Sequence, residues 1–398
     1  MKKILLLGGS HQQIVAIKKA KELGYYTVLC DYLSDNPGQY HADRFYQIST
    51  TDKDAVLQIA KKENIDAVVA YASDPAAPTA AYISEKMGIP GNPYRSVEIL
   101  CNKDKFRSFL SENGFYSPNA KGFSRTEKSK IMFDNFEFPI IIKPVDSSGS
   151  KGVTILHDKA NALKAVDFAF EFSRSGRIVI ENFIEKKHQY LIGGDIFVVD
   201  GKVVLWGLLN CHRDQSVNPL VPVGKSFPPC VEDVDMENVK KTISSIVQKL
   251  GIKFGAMNVE LVVDSKGRVW PIDIGPRNGG NMIPELLGMI YDVDLVELTI
   301  KAAMGEKGLL GPKKEKLYYA THNIHSAKDG ILDKVQFSSK IEPYIVKTFL
   351  YKQSGDSVEY FDDASKAIGI VFFRFDSKHT MFNILDNINE HIKIITKG

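Results

Sequence analysis

The sequence lacks any apolar stretch close to the roughly 18 residues that a membrane-spanning helix requires. Its first apolar run, residues 4–7, is short, whereas the apolar core of a signal peptide needs about 7–15 residues. We therefore interpret this run as a buried strand, and we expect a cytoplasmic protein that does not act at a membrane.

Neither sign of charge is in clear excess, since 51 basic residues stand against 48 acidic ones and the formal net charge is +3. The basic residues are scattered and interrupted by acids, which argues against a nucleic-acid groove or a membrane-binding patch. Cysteine is also scarce, because the four cysteines are widely spaced and form no C-x-x-C motif. This pattern is typical of free thiols and does not favour a disulfide framework or a zinc site.

What the sequence contains is a globular composition, with 44% hydrophobic and 25% charged residues over 398 positions. That length suits two or three domains. Over about the first 90 residues, strands alternate with amphipathic helices, which predicts a parallel sheet with helices on both faces. Beyond Asn92-Pro93, strands separated by glycine-rich turns indicate an α+β region, and Gly311-Pro312 opens a third segment.

The turn Gly8-Gly9-Ser10 follows the first strand and suggests a nucleotide-binding turn. Asp31 ends the second strand as a ribose-binding acid would, but Gln12 stands where a dinucleotide fingerprint requires its third glycine. We therefore favour a plain turn at the sheet edge and keep an NAD-dependent oxidoreductase as a rival hypothesis. Asp74 also follows a predicted parallel strand, at the edge where α/β sheets bind ligands, and is a candidate substrate contact.

Residues 138–143 form an apolar strand that ends in Lys143. A buried ammonium group is costly unless an anion meets it. The loop that follows, residues 145–152, has the sequence VDSSGSKG, and its backbone N–H and hydroxyl groups are suited to surrounding phosphate oxygens. The lysine and the loop together predict a phosphate site. Residues 177–184 form another strand that is suited either to holding a purine edge or to an ordinary core position.

Two further strands, residues 258–263 and 268–273, are joined by a turn of residues 264–267 that is a strong hairpin signal. A two- or four-residue loop would place Glu260 opposite Pro271 and Asn258 opposite Asp273. Because side chains alternate, the two acids would share one face as diagonal neighbours about 7–8 Å apart. Inward carboxylates repel unless a cation lies between them, and oxygen ligands of this kind suit Mg²⁺. The alternative is a pair of surface acids on a hairpin.

These motifs, in this order, resemble those of the ATP-grasp superfamily, which includes D-alanine ligases, biotin carboxylases, carbamoyl phosphate synthase and L-amino-acid ligases. The resemblance covers most of the chain. It implies that the metal is held by Glu260 and Asp273, and that Lys143 and Arg277 are catalytic. It also implies a nucleotide-binding set, which consists of Lys105, Lys143, Ser147, Ser148, Gly149, Gly152, Glu181, Phe183, Ile184 and His188.

Within that set, Asp104-Lys105 corresponds to a phosphate-binding lysine near the start of a helix. Glu181, Phe183 and Ile184 correspond to the adenine-binding segment. Two positions depart from the family pattern: His188 replaces the ribose-binding glutamate of many relatives, and Gly275 replaces an asparagine metal ligand. Asn258 or Asn278 is a candidate to compensate. Outside the motifs, His212 and Arg213 follow a predicted strand and are candidates to face the cleft.

The implied fold is a combination of α/β and α+β architecture in three domains. Residues 1–95 would form a Rossmann-like domain that holds no dinucleotide and contributes to the substrate site. Residues 96–308 would form a two-lobed ATP-grasp domain, and residues 309–398 a small C-terminal α+β domain.

The implied function is that of an ATP-dependent ligase, which activates a carboxylate as an acyl phosphate, transfers the acyl group to an amine or similar nucleophile, and releases ADP and phosphate. Its cofactors would be ATP and Mg²⁺, with Mn²⁺ as an alternative ion. Its partners would be small-molecule carboxylates and amines, and a homodimer is compatible with the family. Two alternatives stay open: a bicarbonate-using carboxylase or carbamoyl phosphate synthase-like enzyme, and an ATP-binding protein without ligase turnover, which the glycine at position 275 motivates.

Overall fold

The computed structural model describes residues 1–147, 149–306 and 317–397. Within these ranges, no helix combines the length and the apolar character that a membrane crossing demands. The strands within these ranges form four sheets. The mixture of one parallel sheet with three others confirms the predicted combination of α/β and α+β architecture.

The first sheet is parallel, with strand order β3-β2-β1-β4. Its strands and the helices around it are β1 (Lys3–Leu7), α1 (Ile14–Glu22), β2 (Tyr26–Asp31), β3 (Arg44–Gln47), α2 (Lys53–Glu63), β4 (Ala67–Val69), α3 (Ala77–Met87) and α4 (Tyr94–Leu100). The apolar residues of β1 are buried on both faces, as a parallel strand requires. The turn after β1 is filled by Gln13, whose amide accepts from the Ser10 N–H at 2.9 Å and donates to the carbonyls of Leu7 and Tyr71.

The second sheet has strand order β5-β8-β6-β7, and β8 is antiparallel to both of its neighbours. Its elements are α5 (Lys103–Glu112), β5 (Ala120–Ser124), β6 (Ile140–Pro144), β7 (Thr154–Leu156), α6 (Ala162–Glu171) and β8 (Arg177–Asn182). Alternation divides these strands between two faces. Ile140, Ile142, Ile178 and Ile180 pack into a core with α6, and the opposite face therefore carries Lys143 and Glu181.

The third sheet contains eight strands in the order β13-β12-β9-β10-β11-β14-β18-β16. The elements before residue 307 are β9 (Leu191–Val199), β10 (Lys202–Asp214), β11 (Asn218–Phe227), α7 (Asp233–Lys249), β12 (Gly255–Val263), β13 (Val269–Gly275), α8 (Ile283–Tyr291) and α9 (Leu295–Ala303). Residues of α7 form one core with this sheet, and residues of α8 form another.

The remaining elements are β14 (Tyr318–Ile324), β15 (Gly330–Phe337), β16 (Ile345–Leu350), β17 (Ser357–Val358), β18 (Gly369–Phe375), α10 (Lys378–Asp386), α11 (Ile388–His391) and β19 (Ile392–Lys397). Three of these strands, β14, β16 and β18, extend the third sheet, while β17, β15 and β19 form a small sheet of their own. Hydrogen bonds of the third sheet therefore run across the predicted boundary at residue 309, and the proposed division into three domains stays a prediction.

Candidate active site

Lys143 lies at the end of β6, and its ammonium contacts the Glu181 carboxylate at 2.5 Å. The same carboxylate accepts from the Arg107 guanidinium, with a distance of 2.8 Å from Nε to Oε2. Arg107 comes from α5, and it also donates to the Ile272 carbonyl in β13 at 2.8 Å. All three side chains are buried. They form a closed set of two cations and one anion that joins the second sheet to the third.

Burial and ion pairing act in opposite directions on the pKa values of Lys143 and Glu181. Burial lowers the pKa of Lys143, although Glu181 opposes that shift. Burial alone would raise the pKa of Glu181, but Arg107 and Lys143 overcome it and hold this pKa at about 2. Glu181 is therefore ionised at neutral pH, and the set carries one net positive charge. Arg107 was missed in the sequence, although it lies four residues after Lys103 and so shares its helix face.

The two lysines at the start of α5 lie on different sides of the helix. Lys103 donates to the Ser147 carbonyl at 2.9 Å and lies 3.6 Å from Oδ2 of Asp273. Lys105, the predicted phosphate ligand, instead contacts Glu98 at 3.2 Å and is 48% exposed, against 14% for Lys103. Residues two apart on a helix point about 200° apart, so one face cannot hold both. The structure brings Lys103, and not Lys105, to the other candidate residues.

The glycine-rich loop runs from the end of β6 toward the third sheet. The Ser147 hydroxyl donates to the Lys151 carbonyl at 2.9 Å, and the Ser150 hydroxyl donates to the Leu220 carbonyl at 2.8 Å. Gly149 has a positive φ of 67° and open space around it, while Gly152 at φ 72° packs against Pro144 and Phe172 too closely for a side chain. Ser148 lies outside the described residues.

Glu260 and Asp273 lie on neighbouring strands, β12 and β13, and are directly opposite each other. The predicted register, with Glu260 facing Pro271, was wrong for two reasons. The turn is one residue longer than predicted, so that Val263 pairs with Val269, and the register then shifts by one more residue between Leu261 and Glu260. The irregularity adds a residue to β13 and moves the second acid one step along the strand. Both acids still project from one face, and they are closer than the diagonal arrangement would have made them.

A cationic side chain lies near each of the two acids, but at more than hydrogen-bond distance. Arg213 lies 3.7 Å from Glu260, and Lys103 lies 3.6 Å from Asp273. Burial opposes ionisation of Asp273, but Lys103 and then Lys143 and Arg277 lower its pKa. Both carboxylates are only partly buried. Their oxygens are therefore available to a hard cation such as Mg²⁺, which takes one or two carboxylates together with water and phosphate oxygens.

His212 and Arg213, which are neighbours in β10, point to opposite faces of the third sheet. Arg213 is on the face of Glu260. The ring of His212 instead bonds to the Ser226 hydroxyl at 2.8 Å and packs on Tyr190. Burial, with help from Lys225 and Arg213, lowers the pKa of His212 to about 3. Of this pair, only Arg213 lies beside the acid pair.

Gly275 occupies the position where the family pattern has an asparagine. A side chain there would meet Oδ1 of Asp74 at 2.5 Å and the Arg277 guanidinium carbon at 3.1 Å. The space beside the second acid is thus filled by the Asp74–Arg277 ion pair. Arg277 donates from Nε to Oδ1 of Asp74 at 2.7 Å and also contacts Oδ2 through Nη2. Although burial works against it, Asp74 raises the pKa of Arg277 further above its ordinary value.

Asn258 and Asn278, the candidates to replace the missing ligand, both have partners within the protein. Asn258 donates to Oδ1 of Asp195 at 2.9 Å, and Asn278 donates to Thr299 at 3.0 Å. Asp195 is buried and also accepts from the Gly279 N–H at 2.8 Å. Burial raises the pKa of Asp195 to about 6, against the effect of the Gly279 and Asn258 hydrogen bonds. Among the described side chains, no group of three or more His, Cys, Asp and Glu is placed to hold a metal ion.

The predicted adenine segment continues from β8 toward the end of β12. Phe183 is exposed and Ile184 is partly buried, so an apolar surface is present at this point. The His188 ring accepts from the Val263 N–H at Nε2, 2.9 Å away, and its Nδ1 contacts the Tyr190 carbonyl. Because Nε2 is the acceptor, Nδ1 carries the proton and both ring nitrogens are engaged. In this arrangement, His188 positions the segment and has no nitrogen left for a ribose.

Comparison with known proteins agrees with this geometry. Residues 136–285 match the family model described as the ATP-grasp domain. A formate-dependent phosphoribosylglycinamide formyltransferase from Sulfurisphaera tokodaii is 24% identical over 309 residues, which cover 76% of this chain and 76% of that protein.

Two solved structures share the fold over nearly their whole length. The L-amino acid ligase from Bacillus licheniformis has a TM-score of 0.83 at 19% identity and covers 100% of this chain and 99% of its own. The phosphoribosylglycinamide synthetase from Anaerococcus prevotii has a TM-score of 0.78 at 23% identity, with 100% of both chains covered.

Proposed function

The chain belongs to the ATP-grasp superfamily of ATP-dependent ligases, and we propose that it phosphorylates a small carboxylate with ATP and transfers the acyl group to an amine. ADP and inorganic phosphate are the products. One observation carries the proposal: Lys103 joins the glycine-rich loop to the acid pair, through Ser147 at 2.9 Å and Asp273 at 3.6 Å. The groups suited to phosphate and those suited to a metal are therefore next to each other.

The residues fit a nucleotide with a divalent ion. Lys103 and Lys143 would supply positive charge to the phosphates, and the backbone N–H groups of residues 149–152 would surround them. Glu260 and Asp273 would hold Mg²⁺, with Mn²⁺ as an alternative, and the ion would neutralise charge on the phosphates. The apolar segment at Phe183 and Ile184 would hold the base. Glu181 acts by balancing Lys143 and Arg107, which keeps Lys143 in place.

Phosphoryl transfer in such a site depends on position and electrostatics, since the protein has little covalent chemistry to do. A carboxylate oxygen attacks the γ-phosphorus, the bond to the β,γ-bridging oxygen breaks, and ADP leaves. Arg277, which is held in one orientation by Asp74, is suited to fixing the carboxylate and stabilising the oxyanion of the second step. The loop that follows β6 contacts the third sheet through the Ser150 hydroxyl and the Leu220 carbonyl, and residues 149–152 would exclude water from the acyl phosphate.

The nature of the two substrates is inferred from chemistry alone. Arg277 is suited to anchoring one carboxylate, and an amine is the favoured acceptor because it is nucleophilic without activation by a base. A bicarbonate-using enzyme would need the same ATP-binding residues. It differs from the proposed ligase in that its ATP consumption depends on bicarbonate. A location in the cytoplasm and a homodimer remain predictions, as does the full set of nucleotide contacts.

The test is to identify the nucleotide product. Purified protein with MgATP is screened with carboxylic acids, hydroxy acids, amino acids and bicarbonate, with and without amines, and the nucleotides are separated by chromatography. We expect ADP and phosphate, and ¹⁸O from a labelled carboxylate should appear in the phosphate. AMP and pyrophosphate as products would refute acyl-phosphate chemistry. ATP consumption with bicarbonate alone would refute the proposed substrate class and favour the carboxylase alternative.

A further inference from the structure

Three buried polar groups, two hydroxyls and one carboxylate, lie near the first sheet, α8 and the end of β16, and both hydroxyls are within electrostatic range of the carboxylate. They are Tyr71, Glu285 and Tyr351, and we call them the Glu285 cluster. Within the part of the chain that the structure describes, the two tyrosine hydroxyls and both Glu285 carboxylate oxygens are buried and have no hydrogen-bond partner outside their own residue. Buried polar atoms are nearly always bonded in folded proteins, so four such atoms in one place require an explanation.

The three side chains share one electrostatic environment. After burial, the charge of Glu285 is the next cause that raises the pKa of both Tyr71 and Tyr351. Tyr71 follows β4, and the ring of His11, which follows β1, stacks on Tyr351 with centroids 5.7 Å apart. The Glu285 cluster therefore lies beyond the carboxyl ends of two parallel strands, where α/β sheets bind ligands.

The Glu285 cluster borders the residues proposed for acyl transfer. Tyr71 is three residues before Asp74, which holds Arg277. The loop from Arg277 to α8 is fastened to the first sheet, because the Asn281 N–H donates to the Gln12 amide oxygen at 2.6 Å. The buried Asp195 adds to the upward pKa shifts of both Tyr71 and Glu285. One continuous region thus connects Arg277 to Glu285.

The chemistry of the Glu285 cluster matches an ammonium group. Burial raises the pKa of Glu285 to about 7, Asp195 and Asp294 add to the shift, and Lys347 opposes it. An ionised carboxylate in such a place is stabilised by a cation that can donate hydrogen bonds. An ammonium has three donors, which the carboxylate and hydroxyl oxygens can accept, and the faces of aromatic rings also attract it.

We propose that Tyr71, Glu285 and Tyr351 bind the ammonium group of a substrate, so that this ligase acts on an amino-bearing compound. The inference rests on the proposed ligase function. The ammonium belongs either to an amino acid whose carboxylate is phosphorylated or to the acceptor amine before it loses its proton. Both sources present the same group to Glu285. The two are distinguished by whether amino acids or simple amines bind at the Glu285 cluster.

The test compares matched probes in the presence of Mg²⁺ and a non-hydrolysable ATP analogue. Glycine, L-alanine, L-leucine and L-phenylalanine are titrated by calorimetry beside their deaminated acids and, separately, beside the amines that lack the carboxylate. We expect at least one amino acid or amine to bind the wild-type protein, and an amino acid to bind tenfold or more tightly than its deaminated acid. Preference for the amino acids identifies the donor as the source, and binding of amines alone identifies the acceptor.

Glu285→Gln should remove that preference, and Tyr351→Phe should reduce it severalfold. Glu297, a partly exposed acid on α9 that pairs with Lys301, supplies the matched control, because Glu297→Gln should leave the preference unchanged. Because the Glu285 carboxylate oxygens are buried and no other residue hydrogen-bonds to them, Glu285→Gln should keep or raise Tm, whereas a purely structural role predicts a lower Tm. Ionisation of Glu285 opposes folding as pH rises from 4.5 toward 7, so the Tm advantage of the variant should grow over that range.

Three results would overturn the inference: no binding by any amino-bearing probe, equal binding of amino and deaminated acids, or a full preference in Glu285→Gln. ADP release by the wild-type protein with deaminated acids would then leave the ligase function standing. Absence of ADP release with every acid would count against the ligase function itself, which keeps the two failures distinct.

Discussion

Two pairs of strands carry charged residues of the candidate site. The charges are paired closely in one pair of strands and loosely in the other. In β6 and β8, Lys143 and Glu181 are buried together, and Arg107 closes the set at 2.8 Å from Glu181. In β12 and β13, two acids stand directly opposite each other. The nearest cations, Lys103 and Arg213, remain 3.6 Å and 3.7 Å away.

The difference shows which charges serve the fold and which await a ligand. A buried set that is balanced within hydrogen-bond distance stabilises its own geometry, and removing one member leaves an uncompensated charge. Replacing a partly exposed carboxylate whose partners are distant lowers the free energy of unfolding less. Such a carboxylate also keeps its oxygens free for a cation from outside. The first pair of strands is therefore a rigid frame that holds Lys143, a proposed phosphate ligand, in place, and the second is the proposed metal site.

The strongest expected effect comes from Asp273→Asn. Loss of an anionic metal ligand should reduce turnover by roughly 10²–10³-fold or more, whereas Tm should change little because the Lys103 contact is loose. Steady-state kinetics over a Mg²⁺ titration and a thermal melt measure the two effects. Near-normal turnover at saturating Mg²⁺ would remove Asp273 from the mechanism.

Asp264→Asn on the same hairpin is the matched control. Asp264 accepts from Arg268 at 2.6 Å and from Trp270 at 3.0 Å, and it holds the turn together. Its replacement should lower Tm and leave the Mg²⁺ dependence of turnover unchanged. If both hairpin variants behaved alike, the contrast between structural and metal-binding acids would fail.

A smaller effect is expected from Glu181→Gln, and it should depend on pH. The variant leaves Lys143 and Arg107 buried without an anion, at a cost of about 3 kcal/mol near neutral pH. The pKa of Glu181 is depressed from 4.5 to about 2, so its stabilisation is present above pH 4.5 and is lost as pH falls toward 2. The difference in unfolding free energy between wild type and variant should therefore shrink over that range. A gap that does not vary with pH would contradict the assigned ionisation.

The smallest effect separates the two lysines of α5. Lys103→Ala should weaken ATP binding about tenfold, as expected for loss of one charge-assisted contact to phosphate. Lys105→Ala removes only a partly exposed contact to Glu98 and should stay within about twofold of wild type. Calorimetry with MgATP measures both. A larger loss for Lys105→Ala would restore the prediction made from the motif alone.

These residues also show how much of the fold and of the candidate site could be predicted from the sequence. The ATP-grasp resemblance and the ligase class are confirmed, because strand-end lysines, glycine-rich loops and hairpin acids are local patterns that keep their spacing in the fold. The register of β12 and β13 was wrong, since the turn is one residue longer than predicted and an irregularity inside a strand leaves no turn signal. The side on which Lys103 and Lys105 lie depends on which helix face packs inward, and a motif match alone did not settle it.

The sequence by itself determined the types of element, the order of the motifs and the alternation of side chains along each strand, because period and turn chemistry act over a few residues. Only the tertiary structure decided the partners. Arg107 meets Glu181 across 74 residues of chain, and Arg277 meets Asp74 across 203. The Glu285 cluster, too, gathers side chains from three separate regions. Such contacts arise when sheets pack against one another, and no local pattern contains the distance between them.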